Sequence, residues 1–465
     1  MVYFVRYDMK RKLTLFALLP LLLVLLGQGC KGLTPEQQAS VAPVTLNYWT
    51  VFNDVAQLKA FAAEYQKIRS YVTVNVRQVR AAEFEDLFVN ALADDVPPDV
   101  ISVHIHDVGK YAGRLSPMPA SVRVSNVFVK GKYFKETVVE TITQAMPSVS
   151  NIRRDYVGAI EDDVTRGGAV YGLPLAFDTL AIYYNRDLLD KAGIAEPPKT
   201  WNEFLDAVKK TTQFDRDGNV IQSGVALGTG NNIENAFDIL SLLLLQNGVT
   251  MAQGGRVGFA SGLDRRTPNH PTFQALQFYT DFARPTKDVY SWDEEMASAF
   301  DSFVSGKSAF YFGFAFDRAR IRSRAPRLSL EVIPVLQLNE SAPVNVANYW
   351  IESVPARSKH PNEAWDFVRF MTTATNVKRY TEATGQPSPL RSHLAEQTQD
   401  SAVAAFAAQA LTATNWYHGR NIESAKQAFA DLLHALIQPY GPREEPAERD
   451  AALVQRAAQV VQQTL

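Results

Sequence analysis

The first ordered stretch of the chain alternates. In VTLNYW at 44–49 apolar and polar residues take turns, as on a strand with one buried face. VAQLKAFAAEYQKI at 55–68 changes to helical spacing, and TVNVRQV at 73–79 returns to a strand. Residues 81–93 place Phe84, Leu87, Phe88 and Leu92 on one helical face. Pro97 and Pro98 close that unit, and DVISVHI at 99–105 predicts a third strand. A β-α-β-α-β opening predicts a layered α/β domain on a mostly parallel sheet.

The pattern is less regular over 112–155, where 134–143 reads as a helix and the following QAMPSVSNIRRD as a loop. Tyr171 to Leu189 (YGLPLAFDTLAIYYNRDLL) sets Asp178 between two apolar strand pieces. An acidic residue there either surfaces at a cleft or turns to water, because a lone Asp is seldom buried. Thr200 and Glu203 form the signature of a helix start before Trp201, Phe204, Leu205 and Val208. Helices are expected over IENAFDILSLLLLQNG and HPTFQALQFYTDFARP, and a helix, a break at Gly306 and a strand over 294–313. EVIPVLQ and PVNVANYWIESVP read as strands, 361–372 as a helix, and the chain after TGQPSPLRS as helical nearly to its end, with breaks at 416–419 and 439–446.

With 465 residues, 46% hydrophobic residues and a mean hydropathy of -0.14, the chain has globular composition and room for two or three domains. A net charge of -2 and the lack of a long basic run after the N-terminus give no sign of nucleic-acid binding. Arg6, Lys10, Arg11 and Lys12 precede the apolar run LTLFALLPLLLVLL, and small residues and Cys30 follow. That order predicts an export signal over 1–30, and the run is short for a membrane span. Cys30 is the only cysteine, so no intramolecular disulfide and no thiol chemistry is expected in the mature chain. Residues 31–43 read as a polar tether.

Neither GxGxxG nor GxxxxGK[ST] follows a strand, and there is no GxSxG or HExxH. No cofactor, catalytic group or metal site is expected. His104, His106 and Asp107 are a fragment of a metal set at most, and read as cleft-lining or surface groups. Trp49, Phe52 and Asp54 fall at the carboxyl end of the first strand, where open parallel sheets bind ligands.

Four blocks together resemble the extracellular solute-binding proteins of bacterial ABC importers, in the group of maltose and oligosaccharide binders. They are VTLNYWTVFND with PPDVISVH; YGLPLAFDTLAIYYNRDLLDKAGIAEPPKTWNEFLDAVKKTT; FVSGKSAFYFGFAFD; and NYWIESVPARSKHPNEAWDFVRFMT with ATGQPSPLRS. The resemblance implies a periplasmic-binding-protein-like fold of two α/β lobes, a multi-segment hinge and an interlobe cleft. It implies an N-terminal lobe of 44–175 and 305–345 and a C-terminal lobe of 176–304 and 346–465. A carbohydrate ligand and the permease subunits of an importer follow as partners. The junction at Cys30 separately resembles a bacterial lipoprotein signal, which implies lipid on Cys30 and hence an extracytoplasmic, membrane-anchored protein. The expected ligand contacts are Trp49, Phe52, Asp54, His104, Asp178, Trp292, Phe314, Asp317, Asn348, Tyr349, Trp350 and Arg391, with aromatic rings on sugar faces and polar groups on hydroxyls. Where the family often has Trp or Ser-Trp, this chain has Ala315-Phe316. A solute-sensing or adhesion lipoprotein of the same fold is the alternative, and a glycoside-acting enzyme a more distant one, since that would need two carboxyls set across a glycosidic bond.

Overall fold

The computed structural model describes residues 33–132, 135–263 and 269–465; the expected signal and Cys30 lie outside them. The alternating segment forms the strand Val44–Thr50, which runs parallel to Val72–Gln78 on one side and Val100–His104 on the other. Helices Val55–Ile68 and Ala81–Ala93 make the crossovers. The sheet is completed by Trp350–Ser353, antiparallel to Val100–His104, and by Leu173–Pro174. A second sheet has the order Gln213–Phe214, Val220–Val225, Ser308–Gly313, Ala181–Asn185, Leu330–Pro334.

Each sheet has its own hydrophobic core, and the cores define two lobes. The chain leaves the first core after Phe177 and enters the second at Leu180. Beyond that point the division differs from the expected one. Residues 305–345 belong to the second lobe, because Ser308–Gly313 pairs with Ala181–Asn185 and Val220–Val225. The chain then returns to the first lobe, where Ile351, Trp365, Phe367 and Val368 are buried. Phe406 already packs into the second core, and from Trp416 onward all the remaining core residues lie in the second lobe.

Three segments therefore cross between the lobes side by side. Asp178–Thr179 pairs antiparallel with Ala347–Asn348, and Asn345–Val346 runs parallel to Ala413–Thr414. Asn345 ties all three, its Nδ2 donating to the Leu180 carbonyl and to Gln409 Oε1.

The region 121–155 also departs from expectation. Ser121–Lys130 and Glu136–Ala145 form an antiparallel ribbon, and the helix lies later, at Val149–Asp155. The alternating β-branched residues Thr137, Val139, Thr141 and Thr143 favour a strand, which a helical reading of 134–143 undervalued.

Candidate functional site

The carboxyl ends of Val44–Thr50 and Val100–His104 meet the start of Trp350–Ser353 at one edge of the first sheet. In the register Trp350 faces His104, and Glu352 faces Ser102. Side chains two apart share a face, so Ser102, His104, Trp350 and Glu352 line the same one. The outer part of this face is aromatic. The ring of Phe52 is parallel to that of Trp350, with centroids 6.0 Å apart, and His104 meets Trp350 edge-on at 5.2 Å. Asn348 Oδ1 lies 3.1 Å from His104 Nε2.

The second lobe meets this wall through Phe316, whose ring is edge-on to Phe52 at 4.9 Å. Alongside, His106 contacts Phe237 and Tyr417 of the second lobe at 6.0 and 6.1 Å. His106 is buried, and its Nδ1 has no hydrogen-bond partner among the described residues. Burial holds the His104 imidazole down to about 4 and pushes that of His106 down as well, so both are neutral near pH 7. Lys426 is close enough to influence Asp107, Asp238 and both histidines. Burial raises the Asp107 carboxyl and raises that of Asp238 to about 6, and Lys426 opposes both. The wall beside Phe52 and Trp350 thus offers ring faces and uncharged hydrogen-bonding groups.

A polar network underlies it. Glu352 is fully buried and accepts from Tyr48 Oη, Asn53 Nδ2 and Ser102 Oγ. Burial outweighs these three donors and raises the carboxyl to about 7. A folded-state value above the ordinary carboxylate range means that the native chain keeps a proton the unfolded chain loses. The resulting stabilisation is full below about pH 4.5 and disappears as pH rises through 7. Glu352→Gln, which retains the shape and stays uncharged, is expected to remove this dependence. Denaturation of both proteins from pH 4.5 to 8 should show the native sequence losing roughly 3 kcal/mol relative to the variant. Parallel curves would show that Glu352 does not take up a proton on folding.

The structure gathers Phe52, His104, Asn348 and Trp350, and separates the other expected contacts from them. Trp49 shares its face with Ile101 and Ser353, the side of the sheet opposite Trp350, and lies under the Arg77 guanidinium. Asp54 caps the helix Val55–Ile68, accepting from the Gln57 amide. Trp292 is buried in the second core with its indole N–H donating to Asn232. Phe314 is buried there too, and its carbonyl accepts from Tyr183 Oη. Asp317 is buried, bound by the Phe314 amide and Arg320. Tyr349 is buried at the crossing, its hydroxyl donating to Asp163. Arg391 is exposed, with Nε donating to the Tyr156 carbonyl.

Asp178 requires a specific correction. Its carboxylate does not face water: the residue is 1% exposed. Oδ1 accepts from the amides of Thr179 and Ala315, both at 2.9 Å, and Oδ2 from that of Phe316 at 3.3 Å. Burial raises this carboxyl to about 8 against the pull of the three amides. Asp178 links the crossing strand to the loop that presents Phe316. Phe316, His106, Asn53 and Glu352 were not among the expected contacts. Glu352 could have been found from the alternation that places it two residues after Trp350, and Phe316 from the family's aromatic habit at that position.

Two α/β lobes, three adjacent crossings and an aromatic and polar wall where the lobes meet define a two-lobed binding protein. The chain belongs to the bacterial extracellular solute-binding protein family, whose profile matches residues 49–378. A probable ABC transporter-binding protein of Deinococcus radiodurans is 30% identical over 230 residues, 48% of this chain and 51% of that protein. A maltodextrin-binding protein of Bacillus subtilis is 25% identical over 225 residues, again 48% and 51%. The chain spans about half the length of these curated relatives in the matched regions. Among solved structures, a cyclo/maltodextrin-binding protein complexed with maltotetraose superposes with a TM-score of 0.66 at 17% identity, covering 90% of this chain and 97% of that one. A Mycobacterium tuberculosis protein in complex with glycerophosphocholine gives 0.64 at 15%, covering 90% and 98%. The shared architecture therefore fixes the fold and leaves the ligand to the residues of the wall.

Proposed function

We propose that the protein captures a neutral carbohydrate between its lobes and delivers it to the membrane permease of an ABC importer. The observation that carries this reading is the parallel Phe52–Trp350 pair beside the neutral His104–Asn348 pair, facing Phe316 across the lobe junction. Ring faces cover the apolar faces of a sugar, and the uncharged imidazole and amide suit hydroxyls, which both donate and accept. The Nδ1 of His106, without a partner among the described residues, gives a further hydroxyl a place to bind. The matched relatives in Bacillus subtilis and Streptococcus mutans named for maltodextrin, arabinooligosaccharide and multiple-sugar binding support the same class. Capture by closure of lobes around the crossings suits the three adjacent segments found here.

Thermal melts with a panel of neutral mono- and oligosaccharides, and with glycerophosphodiesters as a contrasting class, test this reading. At a hundred times its dissociation constant a saccharide should add about 2.7 kcal/mol of apparent stability. A shift only with the phosphodiesters would contradict the carbohydrate assignment. We further propose that export ends with cleavage before Cys30 and acylation there, supported by the basic, apolar and small-residue order of 1–30. The mass of the native N-terminal peptide checks this, and an unmodified Cys30 would rule it out.

A further inference from the structure

The ribbon Ser121–Lys130/Glu136–Ala145 is unlike the rest of the surface. Its base is anchored: Val122, Val124, Ser125 and Val139 are buried, and the Tyr71 hydroxyl accepts from the Ser125 amide. Past Ser125 the strand emerges. Phe128 is 43% and Val129 62% exposed, and Lys130, Lys132 and Lys135 are exposed around them. Successive residues of a strand point to opposite faces, so the tip shows an apolar side chain on each face. A groove on a protein partner would cover one face. A tip that is apolar on both faces and ringed by lysines suits insertion among lipid headgroups.

Charge and position point the same way. Residues 127–139 carry three lysines and a single acid, Glu136, which pairs in register with Lys130. In a chain whose net charge is -2, this is a local positive end. Lysines also protect exposed strand edges from pairing, but that role does not account for the adjoining Phe128 and Val129. The ribbon's base adjoins the segment where the chain enters the first lobe. A cavity of 640 Å³ is bordered by Glu36, Gln37 and Ser40 of the short helix Pro35–Ala39 and by Arg123, Ser125 and Thr141 of the ribbon. From Ser125 to Lys130 the strand advances about 17 Å. A fully extended link from Cys30 to Thr34 spans at most about 14 Å. An acyl anchor on Cys30 would hold the membrane surface near the reach of this tip.

We propose that the ribbon tip, through Phe128, Val129, Lys130, Lys132 and Lys135, is a second membrane contact that docks on an anionic lipid surface. It orients the first lobe on the membrane, where a single tether would let the protein swing. The orienting role rests on the Cys30 anchor, whereas the lipid contact itself does not, and the test separates them. Both described cores are built from residues 41–465, so the chain Lys31–Leu465 keeps them whole and has no acyl anchor. Its binding to vesicles of phosphatidylglycerol and phosphatidylcholine, and to phosphatidylcholine alone, is read by cosedimentation. It should bind the anionic vesicles and lose that binding in high salt. Lys130→Gln/Lys132→Gln/Lys135→Gln should lower the partition roughly a hundredfold, and Phe128→Ser/Val129→Ser roughly tenfold. Both variants should retain the thermal midpoint of the parent, since the altered side chains are exposed. No vesicle binding, binding to the zwitterionic vesicles alone, or anionic binding unchanged in both variants would overturn the proposal. Ribbon-dependent binding to a detergent-solubilised permease without vesicle binding would overturn it in favour of a protein partner.

Discussion

Trp350→Ala is expected to weaken saccharide binding by roughly ten- to a hundredfold while leaving a folded protein. Trp350 is only half-buried and opens a strand, so its indole is not a core element of either lobe. Its neighbours are the Phe52 ring, parallel to it, and the His104 edge. Removing it would take away half of the apolar wall and one of the surfaces that orient His104 toward Asn348. A core tryptophan behaves differently, losing roughly 3–5 kcal/mol of fold stability on truncation. Trp292, buried in the second lobe, supplies that contrast: Trp292→Ala should destabilise the protein whether or not a saccharide is present. Calorimetric titration and melts on the two variants separate the roles. Unchanged affinity in Trp350→Ala would remove the aromatic wall from the binding account.

Asp178→Ala is expected to destabilise the protein by about 3 kcal/mol or more, because three buried amides lose their acceptor at about 1–3 kcal/mol each. The amides belong to Thr179, Ala315 and Phe316, so the loss falls on the crossing strand and on the loop that carries Phe316. Binding should weaken as a consequence, through a misplaced Phe316. Denaturant unfolding without ligand makes the distinction. A stable variant that has lost only its affinity would mean that the Asp178 carboxylate bonds the solute directly.

The opening elements of the first lobe, over 44–104, were legible because each carries a clear period, whereas the ribbon and helix over 121–155 were not. The alternation of 44–49 and the helical faces of 55–68 and 81–93 depend on nearby residues only. Lobe membership was less legible. Ser308–Gly313 is buried along its whole length, and such a strand carries no mark of the sheet it joins; its neighbours Ala181–Asn185 and Val220–Val225 are set by tertiary packing. The site divides in the same way. Trp49 and Trp350 both sit near strand ends in the sequence, and only the register with Ile101 and His104 shows that they occupy opposite faces. Asp178 looked like a ligand contact because its partners at Ala315 and Phe316 lie 137 and 138 residues away. Burial of an acid is decided by donors of that kind, and no local pattern announces them.

The most direct test of carbohydrate capture between the lobes is the position of a bound saccharide in a crystal of the complex. The account predicts a sugar ring within about 4 Å of Trp350 or Phe52, with a hydroxyl on the His104–Asn348 pair or on His106 Nδ1 and the Phe316 ring on the opposite side. A saccharide bound elsewhere on the protein, with Phe52, Trp350 and Phe316 untouched, would contradict it.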